Sequence, residues 1–102
     1  MYLLDNDIKR VIDSLDKHWH VWRSFPELAQ MVCVDCTFQM GITGWMAFRH
    51  TRALMEMECW LEASEELLRS KYATQTPNRA AYNSRQLALC QNAKKDIRPT
   101  SG

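Results

Sequence analysis

The sequence predicts an all-α fold of four or five helices in a small helical bundle, with a C-terminal helical hairpin. Only three glycines and three prolines interrupt 102 residues, and 46% of the residues are hydrophobic. Residues with high helix propensity dominate many windows. Apolar residues also recur at spacings of three and four, which is typical of amphipathic helices. We therefore expect one helical domain over residues 1-95, followed by a flexible tail over residues 96-102.

The first two helices are predicted from about Asp5 to Arg23 and from about Pro26 to Met40. The apolar residues of the first helix share one face, as expected for a helix that packs against a core. They are Ile8, Val11, Ile12, Leu15, Trp19 and Trp22. Ser24 is expected to begin a capping box that starts the second helix.

The sequence of residues 44–72 is compatible with two helical arrangements. Gly41 to Gly44 predicts a break, with Thr43 as the next N-cap. Residues 44–72 then tolerate helix throughout, as one long helix or as two joined near Glu58-Cys59. A bend near Glu58-Cys59 is favoured, because a helix of about 30 residues is long for a domain of this size.

The last helix is predicted from Pro77 to about Lys95, with Thr76 as its N-cap. Its buried stripe is expected to contain Tyr82, Leu89 and Ala93, with Ala81 and Cys90 alongside.

Charge is unevenly distributed along a chain whose net charge is +1. Residues 54–66 contain five glutamates and no basic residue, whereas from Lys71 onward six basic residues accompany the single acid Asp96. The acidic and basic segments are expected to be neighbours, with Arg85 against the glutamate-rich helix, although each exposed pair contributes only about 0–1 kcal/mol. The small net charge favours neither nucleic acid as a direct ligand nor an anionic membrane.

Targeting and redox signals are weak. The first residues lack the apolar core of a secretory signal, and the most apolar window, residues 28–48, contains polar residues and two glycines. We expect a cytoplasmic protein whose four cysteines are reduced thiols.

The chain contains residue types that can bind metal ions or act as nucleophiles. His18, His20, Cys33 and Cys36 are residue types that zinc accepts. Both pairs fall inside predicted helices, so buried apolar cysteines are favoured and zinc is the alternative. We find no signature of a catalytic nucleophile or phosphate loop, and we expect a non-enzymatic protein without a metal or cofactor.

A helix-turn-helix near residues 26-45 is an alternative, with Ala29, a turn at Cys33-Val34 and Ile42 at the pattern's positions. Its recognition helix would carry no Lys or Arg, which disfavours phosphate contact.

The segment from Phe48 to Ala93 resembles the AraC negative regulator (ANR) family, and more distantly the PerC-like regulators. The residues that carry the resemblance are Trp60 with Ala63, Asn78-Arg79, Tyr82, Arg85 and Cys90. The resemblance implies a non-enzymatic helical protein that binds an AraC-type activator and lowers its activity; for PerC-like relatives it implies activation of virulence transcription.

The predicted function is therefore restraint of a transcription regulator by protein contact. The candidate partner-binding residues are Trp22, Phe38, Trp45, Trp60, Arg79 and Arg85. A homodimer is also considered, because the charge-poor segment over residues 28–48 offers apolar surface. A DNA-binding regulator and a phage- or plasmid-borne inhibitor of a host or defence protein remain as alternatives.

Overall fold

A computed structural model describes the backbone of residues 5–97 and the side chains of residues 7–91. Over residues 5–97 the chain forms six α-helices and one 3-10 helix, and no strand occurs in that range. The all-α prediction is confirmed, with more helices than the four or five expected. The chain divides into two compact units at Phe48 and Arg49, which are described in turn. A single domain over residues 1-95 stays a prediction.

The unit up to Phe48 contains α1 (Asp5–Trp19), a 3-10 helix (His20–Ser24) and α2 (Glu27–Met46). Helix α1 has the predicted amphipathic pattern: Val11, Leu15 and Trp19, spaced by four, are buried. This face packs against α2. The residues after Trp19 tighten into a 3-10 turn instead of continuing the α-helix.

Helix α2 runs six residues beyond its predicted end. Gly41 interrupts it with φ 81° and ψ 161°, a backbone conformation that is essentially restricted to glycine. The predicted break is thus confirmed at Gly41, but Thr43 is not the next N-cap. Thr43 lies inside α2, where its carbonyl accepts a hydrogen bond from the Ala47 N–H at 3.2 Å.

The capping box predicted at Ser24 is also wrong. Pro26 occupies the N-cap of α2 and makes no side-chain capping bond. The Ser24 hydroxyl instead donates to the Val21 carbonyl at 2.8 Å, within the 3-10 turn. Gln30 secures the entry to α2, because its amide donates to the carbonyl of Phe25 at 2.8 Å.

Aromatic rings fill the centre of this unit. Trp19 meets Phe25 edge-on at a centroid distance of 5.3 Å and meets Trp45 at 6.0 Å. These contacts join α1 to the residue at the end of the 3-10 helix and to the C-terminal end of α2, and such pairs add about 0.5–1.5 kcal/mol beyond their buried area.

The unit from Arg49 contains α3 (Arg49–Glu56), α4 (Trp60–Leu68), α5 (Lys71–Gln75) and α6 (Pro77–Ile97). The bend near Glu58-Cys59 is confirmed: Glu58 has φ 61° in the left-handed region, and Cys59 is the N-cap of α4. A second stop at Arg69 and Ser70 separates α4 from α5. Residues 44–72 therefore form the end of one helix and three shorter helices.

Helices α4 and α6 pack closely and form the predicted C-terminal hairpin. Small residues on both helices are buried, including Ala63 and Ser64 on α4 and Ala80 and Ser84 on α6, and small side chains let helix backbones approach. The Ser84 hydroxyl donates to the Ser64 carbonyl at 3.0 Å, which joins the two helices directly.

The buried stripe predicted for α6 is wrong in its orientation. Tyr82 and Leu89 are 49% and 41% exposed, and Ala81 is exposed too. The core face instead carries Ala80, Asn83, Ser84, Leu87 and Cys90. Asn83 and Ser84 are polar, but both are hydrogen-bonded, as buried polar groups usually are. Only Cys90 was assigned correctly.

Two predictions fall at the edge of the described chain. The side chain of Ala93 lies outside the described residues. Asp96 and Ile97 belong to α6, and the remainder of the predicted tail, residues 98–102, lies outside the described residues. Within the described part of the chain, none of the helices has the length and apolar character needed to cross a membrane.

Candidate functional site

Three of the six predicted partner-binding residues are buried. The exposed fractions of Trp22, Trp45 and Trp60 are 3%, 0% and 1%. Large aromatic side chains release the most apolar surface from water when they are buried, so the fold uses these tryptophans for its core. Their assignment as contact residues is wrong.

The other three predicted residues lie at the surface, on two different helices. Phe38 is 37% exposed on α2. Arg79 and Arg85 are exposed on α6, and residues 77–91 of that helix contain no acid. Phe38 belongs to the first compact unit and the two arginines belong to the second.

Phe38 lies on a helix face that mixes apolar and polar groups. Met31, Asp35 and Phe38 follow one another at spacings of four and three, which places them on the same side of α2, and Gln39 lies beside them. We call these four residues the α2 face. Met31 is 53% exposed, so the α2 face presents two large apolar side chains seven residues apart.

The polar half of the α2 face is already organised. The Gln39 side-chain amide donates to Asp35 Oδ2 at 2.9 Å. This bond between residues one helical turn apart orients a carboxylate and an amide beside the Phe38 ring. The remaining lone pairs and N–H groups of such a pair can bind hydroxyl groups.

Two other carboxylates lie beside basic side chains. The hydrogen bond from Arg23 lowers the pKa of Asp16 from its ordinary 3.8 to about 2, against the opposing effect of desolvation, with the Trp22 indole N–H assisting. The Glu66 carboxylate lies between His50 of α3, at 3.3 Å from Nδ1 to Oε2, and Arg69, at 3.1 Å from Nη1 to Oε1.

These ion pairs change the predicted charge pattern. Glu66 is paired with His50 and Arg69, whereas Arg85 takes part in none of the ion pairs found among the described residues. The expectation that Arg85 lies against the glutamate-rich helix is therefore wrong. Its side chain points to solvent on the outer face of α6, opposite the core.

The zinc alternative has no support in the geometry. Cys33 and Cys36 are fully buried on α2, whereas His18 and His20 are exposed. Throughout residues 7–91, no group of three or more His, Cys, Asp or Glu side chains could hold a metal ion. The two cysteines pack as small apolar residues.

The helix-turn-helix alternative is contradicted by the course of α2. The motif needs a turn at Cys33-Val34, but α2 is helical from Glu27 to Met40 and first departs from helical geometry at Gly41. Since Cys33 is also fully buried, this segment is one packed helix.

Sequence reasoning found Phe38 but missed its neighbours Met31, Asp35 and Gln39. The signal was present: residues 31, 35 and 38 follow helical spacing within a segment that is otherwise poor in charge. Tryptophans were predicted as partner-binding residues instead, because the residue type does not reveal whether a side chain is exposed.

Comparisons with known proteins show a similarity to a protein named as a lysozyme. No family model matches the chain, and no solved structure matches it. The resemblance to the ANR family therefore stays a prediction. The chain is 30% identical over 60 residues to a protein named "Probable T4-type lysozyme 1" from Dictyostelium discoideum. The matched segment covers 59% of this chain and 35% of the relative, so the chain spans about a third of the length of the lysozyme it is similar to.

Proposed function

We propose that this chain is a helical module of lysozyme type that binds cell-wall polysaccharide through the α2 face and does not cleave it. The observation that carries the proposal is the exposed Phe38 ring beside the Asp35 and Gln39 pair, in a chain similar to a protein named as a lysozyme. Lysozymes act on glycosidic bonds, so a carbohydrate ligand is the class that this relationship suggests.

The α2 face has the chemistry that a sugar chain requires. The C–H groups on one side of a pyranose ring pack against an aromatic ring, and an exposed Phe38 offers such a platform. Sugar hydroxyls need both donors and acceptors, and Gln39 and Asp35 supply an amide and a carboxylate at a fixed position. Met31 extends the apolar part of the surface along the helix.

Cleavage of a glycosidic bond requires catalytic groups in addition to the binding groups of the α2 face. Glycoside hydrolysis uses two carboxyl groups, one of which must stay protonated near neutral pH to act as a general acid. The Asp16 carboxyl has its pKa lowered, which is the wrong direction for that role. Asp16 is therefore unsuited to the acid role, and the absence of hydrolytic activity stays a prediction.

The proposal is tested by cosedimentation with insoluble peptidoglycan. Phe38→Ala should weaken binding about fivefold to tenfold, because one aromatic contact contributes about 1 kcal/mol. Gln39→Ala should weaken it as well, because it removes the amide that donates to Asp35 and can bind sugar hydroxyls. Met57→Ala, at a residue that is 62% exposed in the other compact unit, is the matched control and should bind like wild type.

Two results would contradict the proposal. Equal binding by wild type and Phe38→Ala would show that the α2 face is not the site. Clearing of a peptidoglycan suspension by the purified chain, lost in a carboxylate variant, would show that the chain is an enzyme.

A second candidate is restraint of an AraC-type activator by protein contact, as the ANR resemblance implies. The observation that favours it is the outer face of α6, where Arg79 and Arg85 are exposed and no acid lies within residues 77–91. Purified chain and an AraC-type activator should then form a complex that Arg85→Glu weakens and Phe38→Ala does not. Absence of a complex at micromolar concentrations would exclude this candidate.

A further inference from the structure

Two exposed stripes on the C-terminal hairpin have the same layout and opposite charge. The α4 stripe consists of Leu61, Glu65 and Leu68, and the α6 stripe consists of Tyr82, Arg85 and Leu89. Each stripe places a charged residue between two apolar ones. The apolar residues of each stripe are seven positions apart, so each pair spans about 10 Å along its helix.

All four apolar side chains of the stripes are unusually exposed. Leu61 and Leu68 are 51% and 48% exposed, and Tyr82 and Leu89 are 49% and 41% exposed. The core faces of the two helices lie elsewhere, through Trp60, Ala63 and Leu67 on α4 and through Ala80 and Leu87 on α6. The stripes are therefore additional to the contact that α4 and α6 make within one chain.

The order of the residues matches only when two helices run in opposite directions. Along α4 the spacings are four and then three, from Leu61 to Glu65 to Leu68. Along α6, read backwards from Leu89 to Arg85 to Tyr82, the spacings are again four and then three. An antiparallel pairing brings Leu61 to Leu89 and Leu68 to Tyr82, with Glu65 opposite Arg85.

The flanking charges agree with this pairing. The α4 stripe is accompanied by the exposed acids Glu58 and Glu62, and the α6 stripe is accompanied by the exposed Arg79. Neither Glu65 nor Arg85 takes part in the ion pairs found among the described residues. Both charges are thus available to a second molecule, and an acidic face opposite a basic face favours association and fixes its register.

We propose that the α4 stripe of one molecule binds the α6 stripe of a second copy of this chain, in an antiparallel helix pair. Because the α4 stripe of one copy binds the α6 stripe of another, the contact joins two different surfaces, and a pair of molecules keeps one α4 stripe and one α6 stripe unoccupied. Each contact covers four exposed apolar side chains, two from each copy, and pairs the two central charges. It is independent of the α2 face.

Charge reversal tests the pairing in solution. Wild type should self-associate over a concentration series in sedimentation, and Glu65→Arg and Arg85→Glu should each raise the dissociation constant of the contact at least about tenfold, since like charges then oppose each other. An equimolar mixture of the two single variants should form mixed assemblies, because each repulsive contact becomes an attractive one. The double variant E65R/R85E should regain self-association for the same reason.

Matched controls are available on α1, where Asp13 and Lys9 are exposed. Asp13→Arg and Lys9→Glu make the same changes of charge away from both stripes and should leave the dissociation constant within about twofold of wild type. Circular dichroism of every variant verifies that it is helical before sedimentation. If one reversal prevents folding, Glu65→Gln and Arg85→Gln should each weaken self-association by removing the attraction alone.

Three results would overturn the proposal. The first is a wild-type chain that stays monomeric throughout the series. The second is a pair of single variants that fail to associate with each other when mixed. The third is a double variant E65R/R85E that fails to self-associate. The second result separates a true pairing of Glu65 with Arg85 from a general effect of net charge.

Discussion

The Arg23 guanidinium donates two hydrogen bonds of 2.8 Å to the Asp16 carboxylate, from Nε to Oδ1 and from Nη2 to Oδ2. The Trp22 indole N–H donates a third to Oδ1 at 3.0 Å. A bidentate pair of this kind is among the strongest that side chains form. Through it the 3-10 helix is held against α1, and the pKa of Asp16 falls to about 2.

This pairing predicts that acid destabilises the chain between about pH 4 and about pH 2. The folded state lowers the pKa of Asp16, so the unfolded state takes up its proton first as the pH falls. The stabilisation is therefore present above the ordinary pKa of 3.8 and disappears as the pH falls through about 2. Urea midpoints measured across this range should fall for wild type and less steeply for Asp16→Asn.

The control is Glu62→Gln, which removes an exposed carboxylate on α4, in the other compact unit. Its acid profile should follow that of wild type. Identical profiles for wild type and Asp16→Asn would show that the pair with Arg23 does not stabilise the folded chain in solution.

Apolar spacing predicted where helices form, because burial of a periodic face is what holds a helix in a small domain. The α1 face with Val11, Leu15 and Trp19 is an example. The 3-10 turn after Trp19 was not predicted, since it depends on Asp16 reaching Arg23 seven residues later. That bond requires the chain to leave α-helical geometry after Trp19. No local sequence pattern predicts this change.

The face that α6 buries could not be predicted for a related reason. Asn83 and Ser84 are polar, so apolarity alone assigns them to solvent, yet partners on other helices satisfy both. The α2 face was missed because Asp35 and Gln39 form a site only in combination with an exposed Phe38. Exposure is a property of the packed chain.

The buried hydrogen bond between Asn83 and Tyr72 predicts that removal of a single hydroxyl group lowers the stability of the fold. The Asn83 amide donates to the Tyr72 hydroxyl at 2.9 Å, and Asn83 is only 2% exposed. Tyr72→Phe removes this acceptor from a buried amide N–H, which should lower the free energy of unfolding by about 1–3 kcal/mol. Urea unfolding of the two proteins measures the difference.

The control for this prediction is Tyr82→Phe, which removes the hydroxyl of a tyrosine that is 49% exposed. It should change the unfolding free energy by less than about 0.5 kcal/mol. The double variant Y72F/N83L should recover part of the loss, because it removes both polar partners. Failure of the double variant to improve on Tyr72→Phe would assign the loss to packing.

The buried hydroxyl of Thr37 predicts that Thr37→Val stabilises the fold. Its side chain is 3% exposed, and its hydroxyl oxygen has no hydrogen-bond partner among the described residues. Thr37→Val keeps the shape and removes the unsatisfied hydroxyl, so the free energy of unfolding should rise by about 1 kcal/mol. Thr43→Val, at an exposed position of the same helix, should have almost no effect. A destabilised Thr37→Val would mean that a bound water satisfies the hydroxyl.

The backbone conformation of Gly41 predicts that replacement by alanine lowers stability through backbone strain alone. Its φ of 81° and ψ of 161° lie in a region that other residues rarely adopt, and a Cβ built there meets no atom within 4 Å. Gly41→Ala should therefore lower the free energy of unfolding by about 1–3 kcal/mol through strain.

The comparison for Gly41→Ala is Gly44→Ala, three residues further along α2. Gly44 does not share the positive φ, and its added Cβ would meet only the Met40 side chain, at 3.1 Å from Met40 Cβ. Helix propensity favours alanine over glycine by about 1 kcal/mol, which offsets this close contact, so Gly44→Ala should cost less than Gly41→Ala. Thermal or urea unfolding ranks the two variants. The reverse order would mean that α2 can straighten at Gly41 without losing its packing on α1.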